Sequence, residues 1–292
     1  MDIGKRDPIT GRVTTGHEWN GIEELDTPIP RVVLFFLAVT TLFAIGYWIA
    51  MPAWPLWSTY TKGLLGVDQR EIVARQVEEA RQQRAPWVDK IATMDFAAIQ
   101  ADPDLMGRVQ LAGRTLFEDN CAACHGVKAT GGPGFPNLSA KSWLWGGEPD
   151  RIAETIRVGI NSTNEDTRIS QMTAFGRDGV LDATQISNVV AYVRSLSGLG
   201  SDDPAEAPAI AAGKEVFAAN CVSCHGDDAK GKQDMGAPDL TDKYWIYGGD
   251  LDTVFTTVYS GRQGHMPHWG TRLSDVDIKI LALYVDALRP PQ

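Results

Sequence analysis

Two copies of one short motif constrain this chain more than any other feature. Cys121-Ala-Ala-Cys124-His125 and Cys221-Val-Ser-Cys224-His225 stand 100 residues apart and together use all four cysteines of the chain. The spacing has a chemical reason. Two thiols separated by two residues can each add to one vinyl group of the same porphyrin, and the next residue sets its imidazole at an axial position of the iron. Thioredoxin-like dithiols and zinc sites also use Cys-x-x-Cys, but neither accounts for a histidine directly after both second cysteines. Cysteine pairs that share a zinc would also stand much closer in sequence. The motifs therefore predict two covalently bound haem c groups, held by Cys121, Cys124, Cys221 and Cys224, with His125 and His225 as proximal iron ligands. No cysteine is left for a disulfide.

Both motifs lie inside an internal repeat. AGRTLFEDNCAACHG (112–126) aligns with AGKEVFAANCVSCHG (212–226), and the register persists downstream. PNLS (136–139) answers PDLT (238–241), WLWGG (143–147) answers WIYGG (245–249), Gly159 answers Gly261, and AYVRSL (191–196) answers LYVDAL (283–288). An Asp/Glu/Ala/Pro/Gly-rich linker, 198–209, separates the copies. Apolar residues recur at helical spacing before each motif, including Phe117 and Phe217, and again at the end of each repeat, including Tyr192 and Tyr284. The middle of each repeat is rich in Gly and Pro.

Upstream, residues 32–51 read VVLFFLAVTTLFAIGYWIAM, without charge or proline. About twenty apolar residues suffice for a helix to cross a bilayer. Tyr47, Trp48, Trp54, Trp57 and Tyr60 cluster at the run's C-terminal end, as an interfacial aromatic belt would. The run begins too far from the N-terminus, and is followed by too much Trp and Pro, for a cleaved signal peptide. The charged stretch 68–84 suits a solvated helical spacer. The expected fold is mostly α: one N-terminal transmembrane helix followed by two tandem cytochrome c-type domains. The boundaries are a cytoplasmic tail at 1–31, a span at 32–52, a helical spacer at 53–107, and haem domains at 108–199 and 207–292.

A six-coordinate haem needs a second ligand on the face opposite its histidine. Met172 and Met266 lie in equivalent loops, after the Gly159/Gly261 match and before the last helix of each repeat. His265 and His268 compete with Met266 but have no counterpart in the first repeat, and Met235 follows Cys221 too closely to leave the histidine face. A thioether favours ferrous iron and raises the potential relative to a second imidazole. Iron filled this way transfers electrons without making bonds to substrate, so the chain is not expected to be an enzyme on its own. Arg157, Arg168, Arg177 and Arg262 are candidate partners for haem propionates.

Charge sharpens the picture. A net charge of −10 argues against nucleic acid as a partner. Residues 108–199 carry 9 basic and 9 acidic groups, whereas residues 200–292 carry 8 and 14. The acidic second domain suits steering of a basic donor protein. Haem is joined to such motifs outside the cytoplasm, which places the haem domains in the periplasm and the tail before Arg31 in the cytoplasm, across a bacterial inner membrane.

The segment GHEWNGIEELDTPIPR (16–31) resembles the hallmark preceding the first membrane helix of CcoP/FixP, the dihaem subunit of cbb3-type cytochrome c oxidases. The anchor, a spacer with APWVDKIATMD (85–95) and two haem domains follow in that family's order, so the resemblance covers essentially the whole chain. Some members have two membrane helices; this chain has room for one. The resemblance implies a subunit that accepts electrons from a donor cytochrome c. It would pass them through its haems to a monohaem subunit and on to the oxygen-reducing, proton-pumping core. It also implies crossed ligation, Met266 on the first haem and Met172 on the second, where sequence spacing alone suggests the opposite pairing. Thr173 follows Met172 where Pro is usual, as in Met266-Pro267. A membrane-anchored dihaem shuttle for a dehydrogenase or reductase is the alternative, and it has no need of the GHEWNGIEE segment. A dihaem peroxidase would need one haem able to open a coordination site. On the charge distribution, the second domain faces the donor and the first faces the oxidase.

Overall fold

The computed structural model describes residues 4–200 and 203–289, in two compact units, 1–83 and 84–292. The first tail residues, two residues of the linker and the last three residues of the expected second haem domain lie outside the described residues.

The first unit begins with an antiparallel hairpin, β1 (Thr14–Trp19) and β2 (Ile22–Leu25). Its turn is Asn20-Gly21, with φ of 52° and 85°. That conformation matches the right-handed twist of the flanking strands, and Asn-Gly is its strongest sequence signal. The hairpin is not visible as apolar alternation because Glu18, Glu23 and Glu24 interrupt it. Helix α1 (Arg31–Ala50) starts after Pro30 and contains no buried residue. It is the one helix among the described residues long and apolar enough to cross a membrane. A short ribbon, β3 (Pro55–Leu56) with β4 (Thr59–Tyr60), follows. Helix α2 (Gln69–Thr93) then carries its polar face almost entirely to solvent; only Ile91 is buried.

The second unit holds both repeats. In chain order it contains α3 (Phe96–Gln100), α4 (Pro103–Asn120), the one-turn α5 (Ala122–His125), α6 (Pro149–Val158) and α7 (Ala183–Leu196). After a 3-10 turn come α8 (Ala207–Asn220), the one-turn α9 (Val222–His225), α10 (Leu251–Ser260) and α11 (Asp275–Asp286). Local chemistry starts these helices. Asp102, Asp250 and Ser274 accept backbone N–H groups at their N-caps, and Asp182 forms a reciprocal capping box with Gln185.

Packing does not follow the sequence repeats. The last helix of the first repeat, α7, packs on α8 and α10 of the second, while α11 of the second packs on α4 and α6 of the first. Each exchange is marked by an aromatic pair: Phe117 meets Tyr284 at 5.7 Å, and Phe217 meets Tyr192 at 5.5 Å between ring centroids. The helices cross closely because α4 and α8 carry glycine there. A Cβ on Gly113 would stand 2.5 Å from Tyr284 Cβ, and one on Gly213 would stand 2.0 Å from the Asn188 carbonyl oxygen. Two hydrophobic cores result. One joins Leu105, Val109, Phe117, Ile152 and Ile156 to Ile278, Leu281, Leu283 and Tyr284. The other joins Ile186, Val189, Val190 and Val193 to Phe217, Val254 and Val258. Lys279 on α11 also donates to the carbonyls of Ile91, Ala92 and Met94 at 2.9, 3.3 and 2.7 Å. A cation there satisfies the orphan carbonyls at the C-terminal end of α2.

Candidate haem-binding sites

Both cysteine motifs adopt the same local structure. Cys121 and Cys221 end α4 and α8, with φ/ψ of −117°/−32° and −113°/−26°, and the next four residues form α5 and α9. Gly126 and Gly226 stop these turns with positive φ. None of the four cysteines forms a disulfide; Cys124 is exposed and the other three are half-buried. Burial pushes the Cys121 and Cys221 thiols up to about 11, with the neighbouring second cysteine adding to the shift.

The two imidazoles are oriented alike. Nδ1 of His125 lies 3.1 Å from the Pro136 carbonyl oxygen, and Nδ1 of His225 lies 3.1 Å from that of Pro238. A carbonyl oxygen can only accept, so Nδ1 carries the proton and Nε2 keeps a free lone pair. Burial holds both histidines below their ordinary pKa, with the carbonyl contact opposing it. Neutral and oriented by a backbone acceptor, with His125 buried and His225 half-buried, each ring meets the requirements of an iron ligand.

The methionines lie opposite to their sequence order. Met266 packs against the same core as Cys121, Ala122 and Trp143, and Met172 packs against the same core as Cys221, Val222 and Trp245. The chain crosses between cores at two antiparallel backbone pairs. Ile160 and Met266 exchange N–H···O bonds of 2.9 Å in both directions; Met172 and Arg262 exchange bonds of 2.8 and 3.3 Å. The glycines matched in the sequence sit at these crossings. Gly159 and Gly261 cap α6 and α10 at φ 72° and 69°. A Cβ on Gly159 would stand 2.4 Å from the Met266 carbonyl oxygen, and one on Gly261 would stand 2.4 Å from that of Met172. Only glycine permits both the conformation and the approach. Of the rival ligands, His265 and Met235 are exposed.

The walls also carry donors that match a porphyrin's carboxylates. Trp143 Nε1, Trp145 Nε1, Trp245 Nε1 and Arg168 Nε are buried without a protein hydrogen-bond partner. Native structures pair nearly all such groups, and Trp143 and Trp245 pack on the same cores as Cys121 and Cys221, so an anionic group such as a haem propionate would fit beside them. Among the candidate arginines, Arg157 is engaged by Glu154 and Asp275, and Arg177 by Asp178 at the surface. The repeat alignment displayed these tryptophans, WLWGG against WIYGG, without pointing to their unpartnered N–H groups. A groove of about 590 Å³ lined by Phe96, Glu154, Arg157, Asp275 and Lys279 includes neither a motif cysteine nor either histidine in its lining.

Comparison with known proteins finds the same succession of segments along the chain. Residues 11–58 match the N-terminal domain of cytochrome oxidase-cbb3, FixP. Residues 110–197 match cytochrome c, and residues 208–285 match cytochrome c oxidase, cbb3-type, subunit III. The chain is 46% identical over 287 residues to the cbb3-type cytochrome c oxidase subunit FixP of Bradyrhizobium sp. (strain ORS 278), covering 98% of both chains. It is also 46% identical over 276 residues to the cbb3-type cytochrome c oxidase subunit CcoP of Cereibacter sphaeroides, covering 94% of both. The chain belongs to the FixP/CcoP family. As a FixP/CcoP chain it carries two covalently bound haem c groups, at Cys121/Cys124 and Cys221/Cys224. Its mostly helical fold, with one apolar N-terminal helix and two cytochrome c domains, is the architecture those matches describe. That single helix fits a single-pass inner-membrane protein.

Proposed function

We propose that this chain is the electron-entry subunit of a cbb3-type oxidase and is not itself catalytic. It takes electrons from a donor cytochrome c and delivers them through two haems to a monohaem subunit and the oxygen-reducing core. The observation that carries this reading is the match at residues 11–58: a free-standing dihaem shuttle needs an anchor but not this family-specific segment. The haem domains lie in the periplasm and the tail in the cytoplasm, because haem is attached to such motifs on the outer side.

Haem, once bound, supplies a reversible one-electron couple at iron. The chain's residues do the rest. The cysteines hold the porphyrin through thioether bonds. Pro136 and Pro238 fix the tautomer and plane of His125 and His225. His125 and Met266 would hold one iron and His225 and Met172 the other, a pairing supported by the core each methionine joins. Held by these four side chains, the two irons would offer no place for substrate and would need little reorganisation when an electron arrives or leaves.

Purification from membranes through a tag on this chain tests the assignment. Co-purification of a haem–copper oxidase core is expected, and recovery with a dehydrogenase or reductase in its place would favour the shuttle. Steering gives a second expectation. The acidic second repeat attracts a basic donor over roughly one Debye length, about 8 Å at physiological salt. The bimolecular rate of reduction by a basic soluble cytochrome c should fall steadily as ionic strength rises. A flat salt response would remove that domain as an electrostatic docking face.

A further inference from the structure

Helix α1 has no length to spare. Its 20 residues, Arg31–Ala50, rise about 1.5 Å each and so span about 30 Å, the thickness of a bilayer's hydrocarbon core. Ala50 therefore stands at the edge of the hydrocarbon, where the last helical carbonyls still need partners. The chain supplies them itself. Leu64 N donates to the Ile49 carbonyl at 2.9 Å, and Leu65 N donates to that of Ala50 at 3.0 Å. The return is tight: Gly63 has a φ of 71°, and a Cβ there would stand 2.4 Å from the Ala50 carbonyl oxygen.

These bonds fix the depth of Leu64 and Leu65, whose side chains are both exposed. The ribbon of β3 and β4 is tied to the same helix end. Trp54, just before it, meets Trp48 of α1 edge-on with ring centroids 5.1 Å apart. Trp54 N donates to Thr61 Oγ1 at 3.0 Å, and Thr61 N returns a bond to the Trp54 carbonyl at 2.9 Å. At the tip of the ribbon Trp57 is fully exposed and left-handed, with a φ of 49°. A bulky residue is an outlier in that region, and such strain gathers at functional contacts. Between Pro52 and Gly66 the one charged residue is Lys62, which pairs with Asp68 at 4.0 Å and Glu71 at 3.5 Å.

We propose that residues 53–66 form a folded foot that lies in the membrane interface, seated on the end of α1, with lipid at the boundary of head groups and acyl chains as its occupant. Leu56, Trp57, Leu64 and Leu65 enter that boundary. Aromatic rings with a polar edge are favoured there, and apolar side chains gain by leaving water. Lipid is the environment continuous with the span, and the foot carries no unpaired charge by which a protein partner would be selected. The foot holds the C-terminal end of α1 against sliding into or out of the bilayer. This rests on the reading of α1 as a span; the proposed orientation adds that the leaflet is the periplasmic one.

Spin labels on the full chain, carrying both haems in phospholipid nanodiscs, test the foot. The four native cysteines are committed to haem, so one added cysteine is labelled uniquely, and reduction to diamagnetic ferrous iron keeps the haems from relaxing the label. Labels at Ser58→Cys, which keeps Trp57, and at Leu64→Cys should collide readily with oxygen. They should meet a water-soluble nickel chelate several-fold less often than a label at Val77→Cys, on the exposed part of α2. A label at Phe43→Cys within the span should be deeper than either. Labels at Ser58→Cys and Leu64→Cys as open to nickel as Val77→Cys would overturn the foot. Nickel access at Phe43→Cys as well would overturn the span beneath it, and the foot with it. Adding Gly63→Ala should raise nickel access at Leu64→Cys; an unmoved label there would overturn the seat on α1. In native membranes, a benzophenone carried by Ser58→Cys should form adducts with lipid. An adduct with another protein chain would place these residues in a protein interface and overturn the proposal.

Discussion

In a Met266→His variant, the midpoint potential of the haem attached to Cys121 and Cys124 should fall by a sizeable part of the roughly 0.8 V range that axial ligands span. A thioether is a soft ligand that stabilises ferrous iron; an imidazole stabilises ferric iron better. Met172→His should lower the other haem. The two can be told apart in a Cys121→Ala background. There one vinyl of the first haem stays unreacted, its conjugation is extended, and its visible band shifts to the red. If the band that titrates lower in Met266→His is the red-shifted one, the ligands cross between repeats. If Met172→His moves the red-shifted band, ligation stays within each repeat and the proposal fails. The weak long-wavelength sulfur–iron band of the oxidised protein gives an independent reading. Each methionine-to-alanine variant should lose one haem's share of it. The structural ground is the pairing of Met266 with Ile160 and its packing on the core that holds Cys121.

The second large effect concerns stability. Leu283 on α11 is 0% exposed and packs in the core with Phe117, Val109 and Ile152. Replacing it with alanine should cost about 2–5 kcal/mol, the usual range for a buried leucine whose surroundings collapse only partly. The damage should appear first at the haem on His125, although Leu283 belongs to the second repeat. Val190→Ala on α7, 1% exposed in the other core, should damage the haem on His225 by a smaller amount, because fewer methyl groups are lost. Thermal or denaturant unfolding in the Cys121→Ala background, followed at the red-shifted and unshifted visible bands, would separate the sites. Each variant weakening the haem of its own sequence repeat would mean that the helices are not exchanged.

Much of the molecule is legible in the residues. The cysteine motifs state the cofactor, since the reach of two thiols and an adjacent imidazole is fixed by covalent geometry. The apolar run at 32–51 states a span, because about twenty uncharged residues match the thickness of a bilayer. Matching helices in both repeats follow from apolar spacing, and the matched Gly159 and Gly261 point to a shared constraint. The hairpin at Thr14–Leu25 was not foreseen, Asn20-Gly21 being its one clear signal. Its strands alternate weakly, so periodicity misses what turn chemistry reveals.

Other features depend on distances between parts of the chain that sequence does not encode locally. Whether α7 and α11 fold back on their own repeat or exchange is a choice between two nearly equivalent surfaces. The repeats present matching faces, Gly113 with Phe117 and Gly213 with Phe217, to matching partners, Tyr192 and Tyr284. Either pairing buries similar apolar groups, so the pattern of residues is the same for both. The tertiary structure decides it through the crossing at Ile160–Met266 and Met172–Arg262, where each helix-capping glycine admits the other repeat's methionine loop. Sequence by itself determined how many haems the chain carries, where they are attached and that it is anchored. The fold alone decided which methionine joins which core and which donors are left for a carboxylate, because both follow from burial and contact between segments distant along the chain.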